Sequence, residues 1–388
     1  MVPQRRVQWA AIWNRYRHLL AVYAASRVLL MLLALIDAAA HHANIGTVLS
    51  NWDGVWYVLI PQKWYGHVVL TKPGQYSTLG FLPLFPMFEW LLAHATSLSI
   101  VASGVTLSLI FGLTATILVT ELAKEWWGEE AADRALLFWC LFPGTVVFSM
   151  VYTEGLLITL VAGCLMLLAR RRWAWAGLLA GLSTAVGPVA VAAVAACIAA
   201  SGREIYYNGW RDREARKSLW APILSPFGLV GFGIFLWFWC GTPLASFKAQ
   251  HGAWSEKSTP FAIFNDFGSL VHQMFISGVG KHGPGGIDLN IILALFGTAF
   301  LFYGLWRLWQ VRETLPLPAW VWTVGMAVLA LTSQGTPPNP RMLICAFPVV
   351  LIVGAEVQGH TRKRLLTWEV ICLIVMSLLT FVGFWLRP

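Results

Sequence analysis

The sequence predicts an all-α fold: a polytopic bundle of transmembrane helices forming a single integral membrane domain over residues 1–388. Three observations carry that prediction. Hydrophobic residues fill 58% of the chain and charged residues only 12%, about half the roughly 25% with which a soluble domain covers its surface. Apolar runs recur along the whole chain, many near the 20 or so residues that a helix needs to cross roughly 30 Å of hydrocarbon. Basic residues also segregate between alternate connections, as the positive-inside rule requires. A soluble enzyme, a secreted disulfide scaffold, a disordered regulator and a nucleic-acid binder are all poor readings. The net charge of +9 is to be read against a bilayer.

The first run follows Arg5, Arg6, Arg15 and Arg17 and has no small-residue cleavage site before polar sequence, so it reads as an uncleaved span over about 18–40. Further spans are expected over about 99–122, 134–152, 218–240, 289–309, 317–334, 340–357 and 365–386. Charge resolves two ambiguous stretches. Residues 154–202 are apolar except for Glu154 and Arg170-Arg171-Arg172, and the breaker Gly187-Pro188 divides them into crossings over 154–169, 173–187 and 188–202. Residues 81–98 carry Pro83, Pro86, Glu89 and His94 and are expected to lie on the outer surface without crossing.

This division puts the N-terminal arginines, Arg170 to Arg172, Arg203, Arg211, Arg213, Arg216, Lys217 and the later basic connections on one face. The other face keeps only Lys63, Lys72, Lys248, Lys257, Lys281, Arg341 and Arg387. The expected topology has about eleven spans, a cytoplasmic N-terminus and an extracytoplasmic C-terminus. Two large outer loops, 41–98 and 241–288, follow from it. Within the second, Phe261, Phe264, Phe267, Leu270 and Val271 have the spacing of an amphipathic helix lying on the membrane. Cys140, Cys164, Cys197, Cys240, Cys345 and Cys372 sit in apolar runs without metal-ligand spacing and are expected to pack in the core.

Candidate chemistry lies in the outer connections. Asp53 stands just past the first span in Asn51-Trp52-Asp53-Gly54-Val55-Trp56-Tyr57, where a partly desolvated carboxylate can serve as a base or can cap the helix that follows. Trp52, Trp56 and Tyr57 can stack on a sugar ring or form an interfacial belt. A second cluster runs from Phe142-Pro143-Gly144-Thr145 to Tyr152-Thr153-Glu154, with Glu154 at the outer boundary, where a carboxylate needs a partner. A third holds Gly241-Thr242-Pro243-Leu244 with Lys248, Gln250, His251 and Trp254, and a fourth is Asn339-Pro340-Arg341. Lys248 and Arg341 are among the few outer cations, suited to hold a phosphate or to snorkel to lipid headgroups. No His pair stands at i, i+4 and no carboxylate cluster occurs in the outer loops, so no protein-bound metal is expected.

The order Trp52-Asp53…Trp56-Tyr57, Phe81-Leu82-Pro83-Leu84-Phe85-Pro86, and Phe142-Pro143…Phe148-Ser149…Tyr152-Thr153-Glu154 resembles that of PIG-V-like mannosyltransferases. These are relatives of the enzyme that adds the second mannose to GPI anchors, within the GT-C membrane glycosyltransferases. The resemblance continues through Gly241-Thr242-Pro243-Leu244…Gln250…Trp254 to Arg341-Met342-Leu343…Phe347-Pro348, spanning roughly residues 50–350. Several positions depart from the family pattern: Ile60-Pro61-Gln62-Lys63-Trp64-Tyr65 stands where members usually read Ile-Ala-x-x-Gly-Tyr, and Gly187 stands where many bacterial members carry arginine before Pro188.

The resemblance implies a GT-C-type bundle and an inverting transfer of a sugar, mannose by the family's habit, from a polyprenyl-phosphate donor. The acceptor would be a lipid-linked or cell-envelope glycan on the extracytoplasmic face. No cofactor beyond the lipid-linked co-substrate is implied. In that reading Asp53 is the catalytic base and Arg341, with Lys248 or His251, neutralises the donor phosphate. Trp52, Trp56, Tyr57, Tyr152, Glu154, Gln250 and Trp254 would bind substrate. The Ala and Trp content and the lack of an ER retrieval signal suggest a bacterial plasma-membrane protein. The competing readings are a lipid or sugar transporter, for which Arg27 inside a span is the main motive, and a non-catalytic scaffold of the same fold.

Overall fold

The computed structural model describes residues 3–253, 258–272, 288–381 and 386–388. Among them all regular structure is helical, apart from one isolated antiparallel bridge between Ser258 and Ser333. Helices α1 (Pro3–Ala40) and α2 (Ile45–Leu49) lead into the first large loop, which holds α3 (Gly54–Lys63) and α4 (Leu84–Thr96). There follow α5 (Ile100–Trp127), α6 (Glu129–Leu141), α7 (Glu154–Ala169), α8 (Trp173–Ser183) and α9 (Val191–Asn208). Three consecutive pieces, α10 (Arg213–Ser218), α11 (Trp220–Leu224) and α12 (Phe227–Cys240), precede the second loop with α13 (Ala245–Ala253) and α14 (Ala262–His272). The chain closes with α15 (Leu289–Gln310), α16 (Leu317–Thr332), α17 (Pro340–Cys345), α18 (Phe347–Glu356) and α19 (Gly359–Phe381).

Six stretches are long and apolar enough to cross a bilayer: Tyr16–Ala40, Ile100–Trp127, Pro188–Asn208, Arg213–Cys240, Leu289–Gln310 and Gly359–Phe381. A seventh arises if α6 and the 3₁₀ turn Pro143–Ser149, bent by 69°, count as one span. This is an integral membrane protein, with every crossing candidate helical as a bilayer demands. Where the sequence predicted about eleven spans, the remaining four, α7, α8, α16 and α18, are apolar helices of 10–17 residues. The residues 81–98, expected not to cross, fold as the 13-residue α4 with Phe85, Pro86, Glu89 and Ala93 on its buried face.

Two expected spans are broken, each at a proline. α6 ends at Leu141 because Pro143 has no N–H to continue it and holds Phe142 in an extended conformation (φ −59°, ψ 131°). α17 and α18 are separated by Ala346 (φ −80°, ψ 45°), two residues before Pro348. A broken helix inside a bundle exposes carbonyls that need donors. Arg27 of α1, only 5% exposed, supplies them for the first break. Its Nη1 donates to Thr145 O at 2.5 Å and its Nη2 to Cys140 O at 3.2 Å and Thr145 Oγ1 at 3.0 Å. Tyr23 and Phe148 flank its guanidinium.

The centre of the bundle is built by α5 on α7, α6 on α18, and α9 on α16. Its largest fully buried side chains include Trp139, Trp322, Phe148, Phe347 and Phe381. α5 and α7 approach closely at two glycines: a β-carbon on Gly155 would lie 2.8 Å from Gly112 N. The expected amphipathic helix over 261–271 forms as α14, with Phe264 and Phe267 exposed and Ala262 buried. Cys140, Cys164, Cys197 and Cys345 are buried as expected, Cys240 is half-buried, and Cys372 is exposed. Cys372 lies on the outer face of an apolar helix, where lipid serves a weakly polar thiol as well as protein does.

Candidate functional site

The first large loop turns sharply at Asn51-Trp52-Asp53, between α2 and α3, and the turn is held from three sides. Trp52 adopts a left-handed backbone (φ 59°), unusual for a bulky residue and sustained only where surroundings impose it. Its indole Nε1 donates to Thr380 O at 3.3 Å, and Asn51 Nδ2 donates to Phe381 O. Those are terminal carbonyls of α19, which lack partners within their own helix. From beneath, Val151 N donates to Leu49 O at 2.8 Å. Gly54 suits this close approach, since a β-carbon there would stand 3.1 Å from Val151 O, a tight contact to which the neighbour would have to yield.

The turn delivers Asp53 to an ion cluster. Asp53 occupies the cap position of α3 but makes no side-chain cap hydrogen bond. Capping, one of the two roles open to it from sequence, is not the role its carboxylate takes. Asp53 Oδ2 instead accepts from Arg341 Nη1 at 2.5 Å. Arg341 comes from the first turn of α17, whose start is set by Pro340 and by Asn339 Oδ1 accepting from Met342 N at 2.9 Å. Glu154, the first residue of α7, approaches the same guanidinium from the other side, its Oε1 3.6 Å from Arg341 Nε. That separation is an ion pair longer than a hydrogen bond, and both Arg341 Nε and Glu154 Oε2 are left without a hydrogen-bond partner. Tyr152 lies under the guanidinium, 5.5 Å from its ring centroid, and its hydroxyl accepts from Asp53 N at 3.2 Å.

The cluster carries two carboxylates on one guanidinium, a net negative charge. Exposure differs within it: the Asp53 side chain is 33% exposed, against 13% for Arg341 and 11% for Glu154. The accessible group is the carboxylate of Asp53. Tyr57 is buried beside it, edge-on to Tyr152, Phe81 and Phe85, with its hydroxyl 3.4 Å from Thr153 Oγ1. Burial raises the Tyr57 phenol far above its ordinary range, and the Asp53 and Glu154 charges raise it further, so it stays protonated.

Of the residues singled out in the sequence, the structure brings Asp53, Glu154, Arg341, Tyr57 and Tyr152 together. Tyr57 and Tyr152 are 8% and 1% exposed, so they shape the centre and present no face to a substrate. Trp56 stacks on Phe81 (6.0 Å, 13° between planes) and leaves part of its surface open. Gln250 Nε2 donates to Gly80 O at 2.5 Å, fastening α13 to the turn before Phe81. Lys248 and His251 do not reach the cluster in this structure: Lys248 Nζ donates to Thr242 Oγ1 at 3.4 Å, and His251 stacks near Phe247. Trp254 lies outside the described residues. Sequence reading assigned no role to Asn51 or Asn339, the two side chains that set the Asp53 turn and the Arg341 helix. Asn339 before a proline is a readable helix start, whereas the distant partner of Asn51 leaves no local signal. Among the described residues no three His, Cys, Asp or Glu side chains are grouped to hold a metal ion.

Comparison with known proteins places this geometry. The apo structure of an Archaeoglobus fulgidus oligosaccharyltransferase aligns over 92% of this chain and 56% of its own, at 13% identity and a TM-score of 0.50. ArnT from Cupriavidus metallidurans, solved bound to undecaprenyl phosphate, aligns over 87% of this chain and 61% of its own, at 16% identity and a TM-score of 0.50. The chain thus spans little more than half the length of these structures, and at such identities the likeness is one of fold, the GT-C membrane bundle. No curated protein matches the chain. A family model described as mannosyltransferase (PIG-V) matches residues 18–248, more than half of the sequence and inclusive of Asp53 and Glu154. The chain belongs to the PIG-V mannosyltransferase family.

Proposed function

We propose that this protein is an inverting membrane glycosyltransferase that moves a sugar, mannose in the family's manner, from a polyprenyl-phosphate donor to a lipid-linked or cell-envelope glycan. The observation that carries the reading is the Asp53, Arg341 and Glu154 cluster, in which the most accessible group is a carboxylate and its partner a cation suited to phosphate. ArnT, similar in fold, was solved with undecaprenyl phosphate, a lipid phosphate of the class invoked here. The bundle is set in the plasma membrane with its N-terminus cytoplasmic and its C-terminus and the cluster extracytoplasmic, on the face where the sequence leaves few basic residues.

Inversion takes a single in-line displacement. The acceptor hydroxyl oxygen forms a bond to the anomeric carbon as its proton passes to Asp53, and the bond from that carbon to the phosphate oxygen breaks on the opposite side. The electron pair leaves on the lipid phosphate, whose charge Arg341 stabilises more than it needs a proton. Glu154 keeps Arg341 in place when the phosphate draws it from Asp53. Lys248 and His251 serve the phosphate only if the second loop moves toward the cluster on donor binding. No step is routed through a protein-bound cofactor, the lipid-linked donor being a co-substrate. The transport reading loses its main support, because Arg27 is committed to Cys140 and Thr145 oxygens.

Asp53→Asn tests the proposal. It keeps size and shape and removes the base, so transfer from a polyprenyl-phosphate mannose donor by the purified protein should fall about 10²–10⁴-fold while the protein still folds. An undiminished rate overturns the assignment of Asp53.

A further inference from the structure

α5 and α7 run together from the Asp53 cluster to the opposite end of the bundle. Ser108 of α5 donates to Tyr152 O at the cluster, whereas Glu125 and Trp126 near the end of the same helix line a cleft of about 340 Å³. The helical rise from Ser108 to Glu125 is roughly 25 Å, close to the thickness of a bilayer's hydrocarbon core. The cleft therefore faces the other leaflet, on the side to which the sequence assigns its dense basic connections. Its volume falls in the range of small-molecule and lipid-headgroup pockets.

Two donors carried by residues that line this cleft are unspent. Trp173 lines it and is 6% exposed, yet its indole Nε1 is buried without an acceptor, a costly state for a buried donor unless something else supplies an oxygen. Arg203 lines it as well, stacked over the Tyr207 ring at 5.8 Å and without a carboxylate partner among the described residues. Its neighbours are differently placed, Arg171 paired with Glu204 at 3.3 Å and Arg170 with Glu125 at 3.1 Å. The cleft wall behind these donors is apolar, from Leu122 and Leu165. Beside it, Tyr206, Tyr207 and Trp210 are 82%, 71% and 61% exposed, the amphipathic aromatics of a membrane interface. Arg211, Arg213, Arg216 and Lys217 follow at once in the chain and add positive potential.

From this combination we infer a binding site for an anionic phospholipid of the leaflet opposite the Asp53 cluster. The headgroup phosphate accepts from Arg203 and the Trp173 indole, and an acyl chain lies along Leu122 and Leu165. An acceptor for a buried N–H, an anion for an unpaired guanidinium and a hydrocarbon tail for an apolar wall are met together by that one class of molecule.

The test uses the full-length protein in a neutral detergent, titrated with dioleoyl phosphatidylglycerol and read by native mass spectrometry. One lipid should be retained, and held at least about tenfold more tightly than dioleoyl phosphatidylcholine. Arg203→Gln, a change at an exposed side chain that leaves the fold intact, should weaken retention about tenfold. Trp173→Phe keeps the ring, removes the donor and should weaken it about three- to tenfold. Retention unchanged in Arg203→Gln overturns the proposal, as does equal retention of the two lipids. Displacement of the lipid by millimolar inorganic phosphate would also overturn it, by showing a free-anion site. If Trp173→Phe fails to fold, Arg203→Gln decides alone.

Discussion

Two buried arginines, Arg27 and Arg341, show how differently one bundle can treat the same charge. Arg27 is surrounded by oxygens that cannot ionise, the Cys140 and Thr145 carbonyls and the Thr145 hydroxyl, and most of its donors are used. Arg341 is held by two carboxylates, one of them a third exposed, with its own Nε and Glu154 Oε2 still unbonded. A guanidinium bound to carbonyls can only lose by leaving, because each carbonyl would then be buried without a donor. A guanidinium shared by two carboxylates can pass from one to an incoming phosphate and keep the other. Burial alone does not separate an arginine locked in place from one that can change partners; the character of its acceptors does.

Substitution can break that contrast, and the largest effect is expected at the structural arginine. Arg27→Met removes the donors that close the break after α6, and several buried oxygens at about 1–3 kcal/mol each should bring the protein close to unfolding. Its melting in detergent should fall well below that of the parent protein, and a melting point unchanged would show that the broken segment does not depend on Arg27. Arg341→Gln should leave the fold standing and raise the KM for the lipid-phosphate donor about 10–100-fold, with a smaller change in kcat. If the Arg341 variant unfolds and the Arg27 variant does not, the two roles are reversed. Asn51→Ala removes one of the two hydrogen bonds that fasten the Asp53 turn to α19, without touching a charge. It should lower kcat about five- to tenfold with KM little changed, and a change confined to KM would place Asn51 on the substrate. Smallest of all, Tyr57→Phe loses only a hydroxyl contact of 3.4 Å and should cost less than about 1 kcal/mol by thermal unfolding.

The three charges of the cluster stood out in the sequence because charge is scarce on that face. Asp53, Glu154 and Arg341 could be shortlisted from a handful of candidates, and the family motif ran through all three. Their meeting could not be read, since Asp53 and Arg341 lie 288 positions apart and no periodicity links them. Lys248 entered on the same charge argument as Arg341 and its side chain is held at Thr242, because charge sorting assigns a side of the membrane and says nothing of lateral position. The spans were visible wherever a run was continuous. Where Pro143 and Pro348 interrupt a run, average hydropathy passes over the break, and what stabilises the first of them, a lone arginine from α1, is a tertiary matter.

The fastening of Asn51 and Trp52 to the end of α19 also has a consequence for biogenesis. Both carbonyls that lock the Asp53 turn belong to the last described helix, and the arginine that meets Asp53 is made only shortly before it. During synthesis the two carboxylates enter the membrane long before their cation exists. The carboxylates of the cluster thus wait for both their cation and their anchor, and a polypeptide arrested before α19 would possess Asp53 yet have no means of aiming it.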